Sequence, residues 1–137
     1  MFWQQRYWKI MELCDWRFEG DDDKVLAPVI QFLSQKDDSF IFKFEDTIFE
    51  LLHNLDTETV REGYKKNSEY ISDDDFLYWR CTVLINGKQY YEKVRKGSFD
   101  CSYDLEFESL LYIAEKAWAQ KHNTDRENYL HIPKYFE

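Results

Sequence analysis

The sequence predicts an all-α fold, a compact single-domain bundle of five or six helices. Three observations carry that prediction. The 137 residues include only 4 Gly and 2 Pro, too little punctuation for a fold of many strands and turns. Apolar residues recur at helical spacing through most of the chain. The acid clusters Asp21-Asp22-Asp23 and Ser72-Asp73-Asp74-Asp75 each precede an apolar run, and oxygen side chains there favour the positive end of a starting helix.

The first helix is predicted over Phe2 to Trp16. Trp3, Tyr7, Ile10, Met11 and Cys14 fall at i, i+4, i+7, i+8 and i+11 on one stripe. Gly20 ends the segment, and the carboxylates of Asp21 to Asp23 start the next. Leu26, Val29, Ile30 and Leu33 share its face. Pro28 either lies in the first turn or kinks the helix, because an interior proline removes a hydrogen bond. A third helix is predicted from about Asp38-Ser39 to Leu55, with Ile41, Phe44, Ile48, Leu51, Leu52 and Leu55 inward. Asp56 or Thr57 caps a shorter helix carrying Val60 and Tyr64, and 65–71 reads as a connection.

Ser72 caps a central helix. Its hydroxyl is placed to accept from the Asp75 amide, with the Asp75 carboxylate reaching back. Phe76, Trp79, Val83 and either Leu84 or Tyr90 line one face. Asn86-Gly87 breaks this helix or is crossed by it. The pair also suits a two-residue hairpin turn, and Cys81 to Ile85 is rich in β-branched residues. A small β-hairpin near 81–92 is therefore the alternative. Lys88 to Lys96 reads as helix, with Tyr91 and Val94 inward, a Glu92/Lys96 pair and Gly97 as its stop. Residues 98–103 form a loop, and Asp104 opens a last long helix with Phe107, Leu110, Leu111, Ala114 and Trp118 on one face. Pro133 limits helix in the tail, 122–137, which docks on the body through Tyr129, Leu130, Ile132 and Tyr135. No repeat or linker marks a second domain, so 1–137 is expected to be one.

A chain of this length buries roughly two-thirds of its unfolded surface and needs no disulfide or metal to fold. Its 11 Phe, 10 Tyr and 5 Trp supply a large apolar area for a core. Net charge is −9. That disfavours nucleic acid, whose binders neutralise phosphates with Lys and Arg, and disfavours anionic membranes. It suits a soluble surface or a basic protein partner reached by electrostatic steering. Cys14, Cys81 and Cys101 are odd in number and lack CxxC spacing, which points to reduced thiols in the cytosol. Met1 to Ile10 has Arg6 and Lys9 but no apolar h-region and does not read as a signal peptide.

Residue patterns for chemistry are sparse. Asp73-Asp74-Asp75 and Asp21-Asp22-Asp23 offer oxygen ligands, but neighbouring residues at a helix start diverge, and neither has calcium-loop spacing. His53, His122 and His131 show no metal-ligand spacing, and no phosphate loop, dinucleotide fingerprint or nucleophile elbow occurs. Arg80 lies one turn from Phe76 and beside Trp79. It fits either anion recognition or a structural ion pair with Asp104, Glu106 or Glu108.

Several ordered pieces resemble a bacterial domain-of-unknown-function family of small, mainly helical proteins. Tyr7-Trp8-Lys9-Ile10 resembles its Phe-Trp-x-x-Ile opening, and Phe44-Glu45-Asp46-Thr47-Ile48-Phe49 its Phe-x-x-x-Phe pattern. Ser72-Asp73-Asp74-Asp75-Phe76-Leu77-Tyr78-Trp79-Arg80 is similar to its Ser-Asp-Asp-x-Phe-x-x-Phe-Arg core. Gly87 to Glu92 and the Ala114 to Trp118 helix extend the resemblance over about 7–121. The chain departs from it at residues 67–71, where the family often has glycines, and at Thr82, where it often has Trp. The resemblance implies a helical fold and a bacterial cytosolic setting, and brings no catalytic residues.

The functional expectation is a non-catalytic, cytoplasmic protein-binding protein without cofactor or metal. More closely, it is an immunity protein that neutralises a cognate toxin, with a basic nuclease-like domain as the partner and no nucleic acid or membrane. The contact face is assigned to Asp21, Asp22, Asp23, Asp73, Asp74, Asp75, Trp79 and Arg80. One alternative is a small-ligand pocket protein or enzyme centred on Arg80 and Trp79. Another is a self-associating helical scaffold, a homodimer, using exposed aromatics.

Overall fold

Caps and apolar stripes turn most of the chain into helix. The structure, a computed structural model, describes residues 2–67, 72–98 and 105–136. Among these are seven α-helices: α1 (Phe2–Met11), α2 (Asp22–Ser34), α3 (Asp38–Leu55), α4 (Glu58–Asn67), α5 (Asp73–Ile85), α6 (Lys88–Arg95) and α7 (Ile113–His122). Short 3₁₀ turns cover Trp16–Phe18, Glu108–Tyr112 and Arg126–Asn128. The all-α expectation holds for the described residues, with one helix more than the five or six expected.

The hairpin at 81–92 is not formed. Cys81 to Ile85 finish α5, and 88–92 lie in α6. The tight hairpin turn would need positive φ at both Asn86 and Gly87, but Asn86 has φ −87°. Asn86 instead closes α5, its side-chain amide donating to the Thr82 carbonyl at 2.7 Å. Gly87, at φ +101°, turns the chain into α6. The break at this pair supplies the extra helix.

Two compact units emerge: residues 1–50 with 111–137, and residues 51–110. In the first, α2 packs on α7. Tyr7, Val25, Leu26, Val29, Leu33, Ile41, Phe44, Ile48, Ile113 and Ala117 are buried there. The Tyr7 and Phe44 rings meet at 5.5 Å. Asp21 caps α2 by accepting from the Lys24 amide. Pro28 lies well inside α2, not in its first turn, so the Lys24 carbonyl lacks its usual helical donor. At the start of α3, Asp38 accepts from Lys121 Nζ at 2.8 Å, Trp118 Nε1 at 3.3 Å and pairs with His122 Nε2 at 2.9 Å. Those bonds, Lys121 first, hold its carboxyl down at about 2. The pinning is therefore in force at neutral pH and is lost as pH falls through that value.

α1 stops at Met11, five residues short of the expected Trp16. Its last turn tightens into i+3 bonds from the Glu12, Leu13 and Cys14 amides, and the Asp15 amide leaves to donate to the Val25 carbonyl at 2.9 Å. A tertiary bond, not local propensity, sets that end.

In the second unit, α6 packs on α5 and α4. Thr57 caps α4 through the Val60 amide. Ser72 caps α5, accepting from the Asp75 amide at 3.1 Å, while its hydroxyl donates to the Asp75 carboxylate at 2.7 Å. Ser72→Ala is expected to cost about 1 kcal/mol, read as a lower urea midpoint at unchanged slope. An unchanged midpoint would show the cap to be idle. Glu92 pairs with Arg95 at 2.9 Å, not with Lys96. Gly97, at φ +99°, ends α6 as expected, since a side chain disfavours that conformation.

The last helix begins later than expected. Asp104 lies outside the described residues, and α-helix starts only at Ile113. The Phe107 amide is taken by the Tyr78 carbonyl at 3.3 Å, and the Leu110 amide bonds back three residues to Phe107. The second bond has the three-residue span of the 3₁₀ turn at 108–112.

Candidate functional site

The acids singled out in the sequence all sit at helix starts. In the first unit, Asp21 is the α2 cap. Asp22 and Asp23 fill the first turn, and Asp23 pairs with Lys116 of α7 at 3.1 Å. Asp23, Ala27, Ile30, Gln31, Lys116 and Gln120 line an open groove of about 380 Å³ between α2 and α7. The groove is bridged by the Asp23–Lys116 pair and by a 2.7 Å hydrogen bond from Gln120 to Gln31. In the second unit, Asp73 is 96% exposed and 3.9 Å from Arg61. Asp74 is exposed, and Asp75 is engaged by Ser72.

Trp79 and Arg80 sit elsewhere, each only 1% exposed. The Trp79 ring packs against Tyr64 and Phe76, at 5.1 and 6.1 Å, and those two rings also meet at 5.2 Å. The Arg80 guanidinium lies 4.5 Å from the Phe76 ring centre and donates to the Leu52 carbonyl at 2.9 Å. A partner landing on the surface would not reach either. Arg61 covers the same Phe76 ring at 4.9 Å and grips Asp56 at 2.6 Å. Burial alone would raise the Asp56 carboxyl. The Arg61 hydrogen bond and the charges of Arg80, Arg61 and His53 outweigh it and hold the carboxyl below its usual value.

One surface feature escaped the sequence reading. The 3₁₀ turn Trp16–Phe18 holds both aromatic rings partly in solvent, at 44% and 41% exposure, with Leu13 close by in sequence at 43%. Asp15 builds the turn: its carboxylate accepts from the Arg17 amide and forms a two-point pair with the Arg17 guanidinium at 2.9 and 2.7 Å. Around the rings the segment 12–24 carries Glu12, Asp15, Glu19, Asp21, Asp22 and Asp23 against Arg17 and Lys24, whose cations lie 5.7 and 5.5 Å from the Phe18 ring centre. Large apolar side chains inside an acidic frame are the anatomy of a recognition patch, with anchors at the centre and charge at the rim. The available signal was Trp-x-Phe between Asp15 and Glu19, after a helix that stops too soon to bury it.

A second missed feature is a titratable cluster. Glu45 is 7% exposed in α3 and accepts from the Tyr129 hydroxyl at 3.0 Å. Beside it, His131 Nε2 is 2.8 Å from Asp46 Oδ1 and its ring stacks on Phe42 at 4.6 Å. Burial pushes the Glu45 carboxyl up to about 7, against the Tyr129 hydrogen bond, which pulls it down. The signal was an acid on the apolar stripe, four residues after Ile41 and three before Ile48.

Cys81 is buried, and burial pushes the half-buried Cys14 thiol up to about 11, which leaves it un-ionised and unreactive at neutral pH. Cys101 lies outside the described residues. Among the described residues no group of three or more His, Cys, Asp or Glu is placed to hold a metal ion, and no helix is long and apolar enough to cross a membrane.

Compared with known proteins, residues 3–120 match the model of a family described as "Protein of unknown function (DUF4240)". No curated protein and no solved structure matches the chain.

Proposed function

The chain belongs to the DUF4240 family, and because that family's description assigns no role, we propose one from the protein's own surface: it is a non-catalytic protein-binding protein, an immunity protein that neutralises a cognate toxin. The observation that carries this reading is the exposed Leu13, Trp16 and Phe18 group inside its acidic frame. Aromatic anchors contribute most of the energy at protein interfaces. A surplus of carboxylates steers a basic partner in and repels nucleic acid and anionic lipid. The partner that fits is a basic, nuclease-like toxin domain, met in the cytoplasm of a bacterial cell. Asp21, Asp22 and Asp23 belong to that face. Asp73 and Asp74 offer further exposed charge on the second unit.

Co-expression tests the proposal. Cells making a basic toxin encoded beside this gene are expected to survive when the chain is also made, and to die without it. Death in both cases overturns the neutralising role.

The self-associating scaffold has one observation in its favour. Leu130, Ile132 and Phe136 are 83%, 74% and 66% exposed, the kind of apolar surface that copies can share. Light scattering that finds a monomer at high concentration removes this second reading.

A further inference from the structure

Residues 129–136 read one face of α3. Tyr129, His131, Pro133 and Tyr135 are buried or half-buried, while Leu130, Ile132, Lys134 and Phe136 are exposed. Tyr129 and His131 sit against Phe42, Glu45 and Asp46, and the Phe136 ring lies 5.9 Å from Phe49. Residues 42, 45, 46 and 49 are i, i+3, i+4 and i+7, one stripe of a helix.

We propose that residues 129–136 form a pH-operated strap, fastened along this face of α3 on the acid side of neutrality and loosened on the alkaline side. The latch is Glu45 under Tyr129. The charged and titratable groups facing it are Asp46 on its own helix, Tyr129 and His131 on the strap, and Glu115 of α7, itself paired with Arg126 at 2.7 Å. Two acids against one imidazole, in a place shielded from water, make a charged Glu45 costly while the strap is down. Once the strap lifts, water reaches the carboxyl and its hold on a proton weakens toward the ordinary value of 4.5. The fastened form therefore binds the proton more tightly. The stabilisation of the strap by this proton is complete below the ordinary value and is lost as pH rises to about 7. Beside Glu45, His131 Nε2 lies 2.8 Å from Asp46 Oδ1 and the His131 ring stacks on Phe42, a second fastening of the strap to the same face. Lifting the strap bares Phe42 and Glu45 and frees Leu130 and Ile132 from their fixed positions.

The test is an NMR titration of the full chain from pH 5 to 8. It follows the Glu45 carboxyl carbon and the backbone amides of 129–136, in the natural sequence and in Glu45→Gln. In the natural sequence the carboxyl and the strap amides are expected to move together. The amides drift toward unstructured positions as the hold on the strap weakens on the order of tens-fold. In Glu45→Gln, neutral at every pH, the Glu45-linked part of that drift disappears. Static strap amides in the natural sequence overturn the proposal, as does an equal drift in Glu45→Gln. The co-titration in the natural sequence decides the matter even if a variant fails to fold.

Discussion

Trp79→Ala is expected to cost about 3–5 kcal/mol of stability, the range for emptying a buried aromatic site. Trp79 is 1% exposed and packed against Tyr64 and Phe76, and the same helix buries Arg80, Cys81, Val83 and Leu84. Little of the cavity would refill, since its walls are rings and helix backbone. Thermal or urea unfolding reads the loss directly, with the second unit reporting it through the α5 and α6 amides. A cost below about 0.5 kcal/mol, the usual range for a surface site, would put Trp79 on a surface and restore it as a contact residue. Trp79→Phe, which keeps most of the ring volume, is expected to recover a large part of the stability.

Replacing Trp16 and Phe18 together by alanine is expected to do the reverse. Both rings are more than two-fifths exposed, so stability should move by less than about 0.5 kcal/mol per site. Partner binding should fall by at least about 2 kcal/mol for each true anchor, roughly thirty-fold each in affinity. Asp21→Asn with Asp23→Asn makes the matching change at the rim. Asparagine still caps a helix, so α2 is kept while two charges go, and the loss should appear mainly in the association rate and its salt dependence. A double alanine variant that binds unchanged would move the contact face elsewhere.

Local chemistry made much of the helical pattern readable. The Ser72 cap, the α3 stripe from Ile41 to Leu55, the Thr57 start of α4 and the Gly97 stop each depend on residues within a turn or two of one another. What was not readable depends on distant groups. The end of α1 is set by the Val25 carbonyl, and the Phe107 amide ahead of the last helix is taken by the Tyr78 carbonyl. At 81–92 the β-branched run suggested a hairpin, yet α5 is buried from Trp79 through Ile85, and tertiary packing overrode strand propensity. Burial of α5 beyond its apolar stripe also explains Trp79 and Arg80. Periodicity could place them on a helix but could not show that Arg80 lies over Phe76 and within reach of Leu52. Glu45 was visible as an acid on an apolar stripe, but its partner Tyr129 is 84 positions away. The exposed group was partly legible: Asp21 to Asp23 stand out as a helix start and a charge cluster, whereas the exposure of Trp16 and Phe18 follows from α1 stopping at Met11.

The most direct test of the binding account is a calorimetric titration of the purified chain with the basic toxin domain against which it protects cells, at low and at physiological salt. The account predicts a one-to-one complex whose affinity weakens as salt rises and collapses when Trp16 and Phe18 are removed. Heat that stays at the dilution level, or an affinity indifferent to both salt and those two rings, would contradict it.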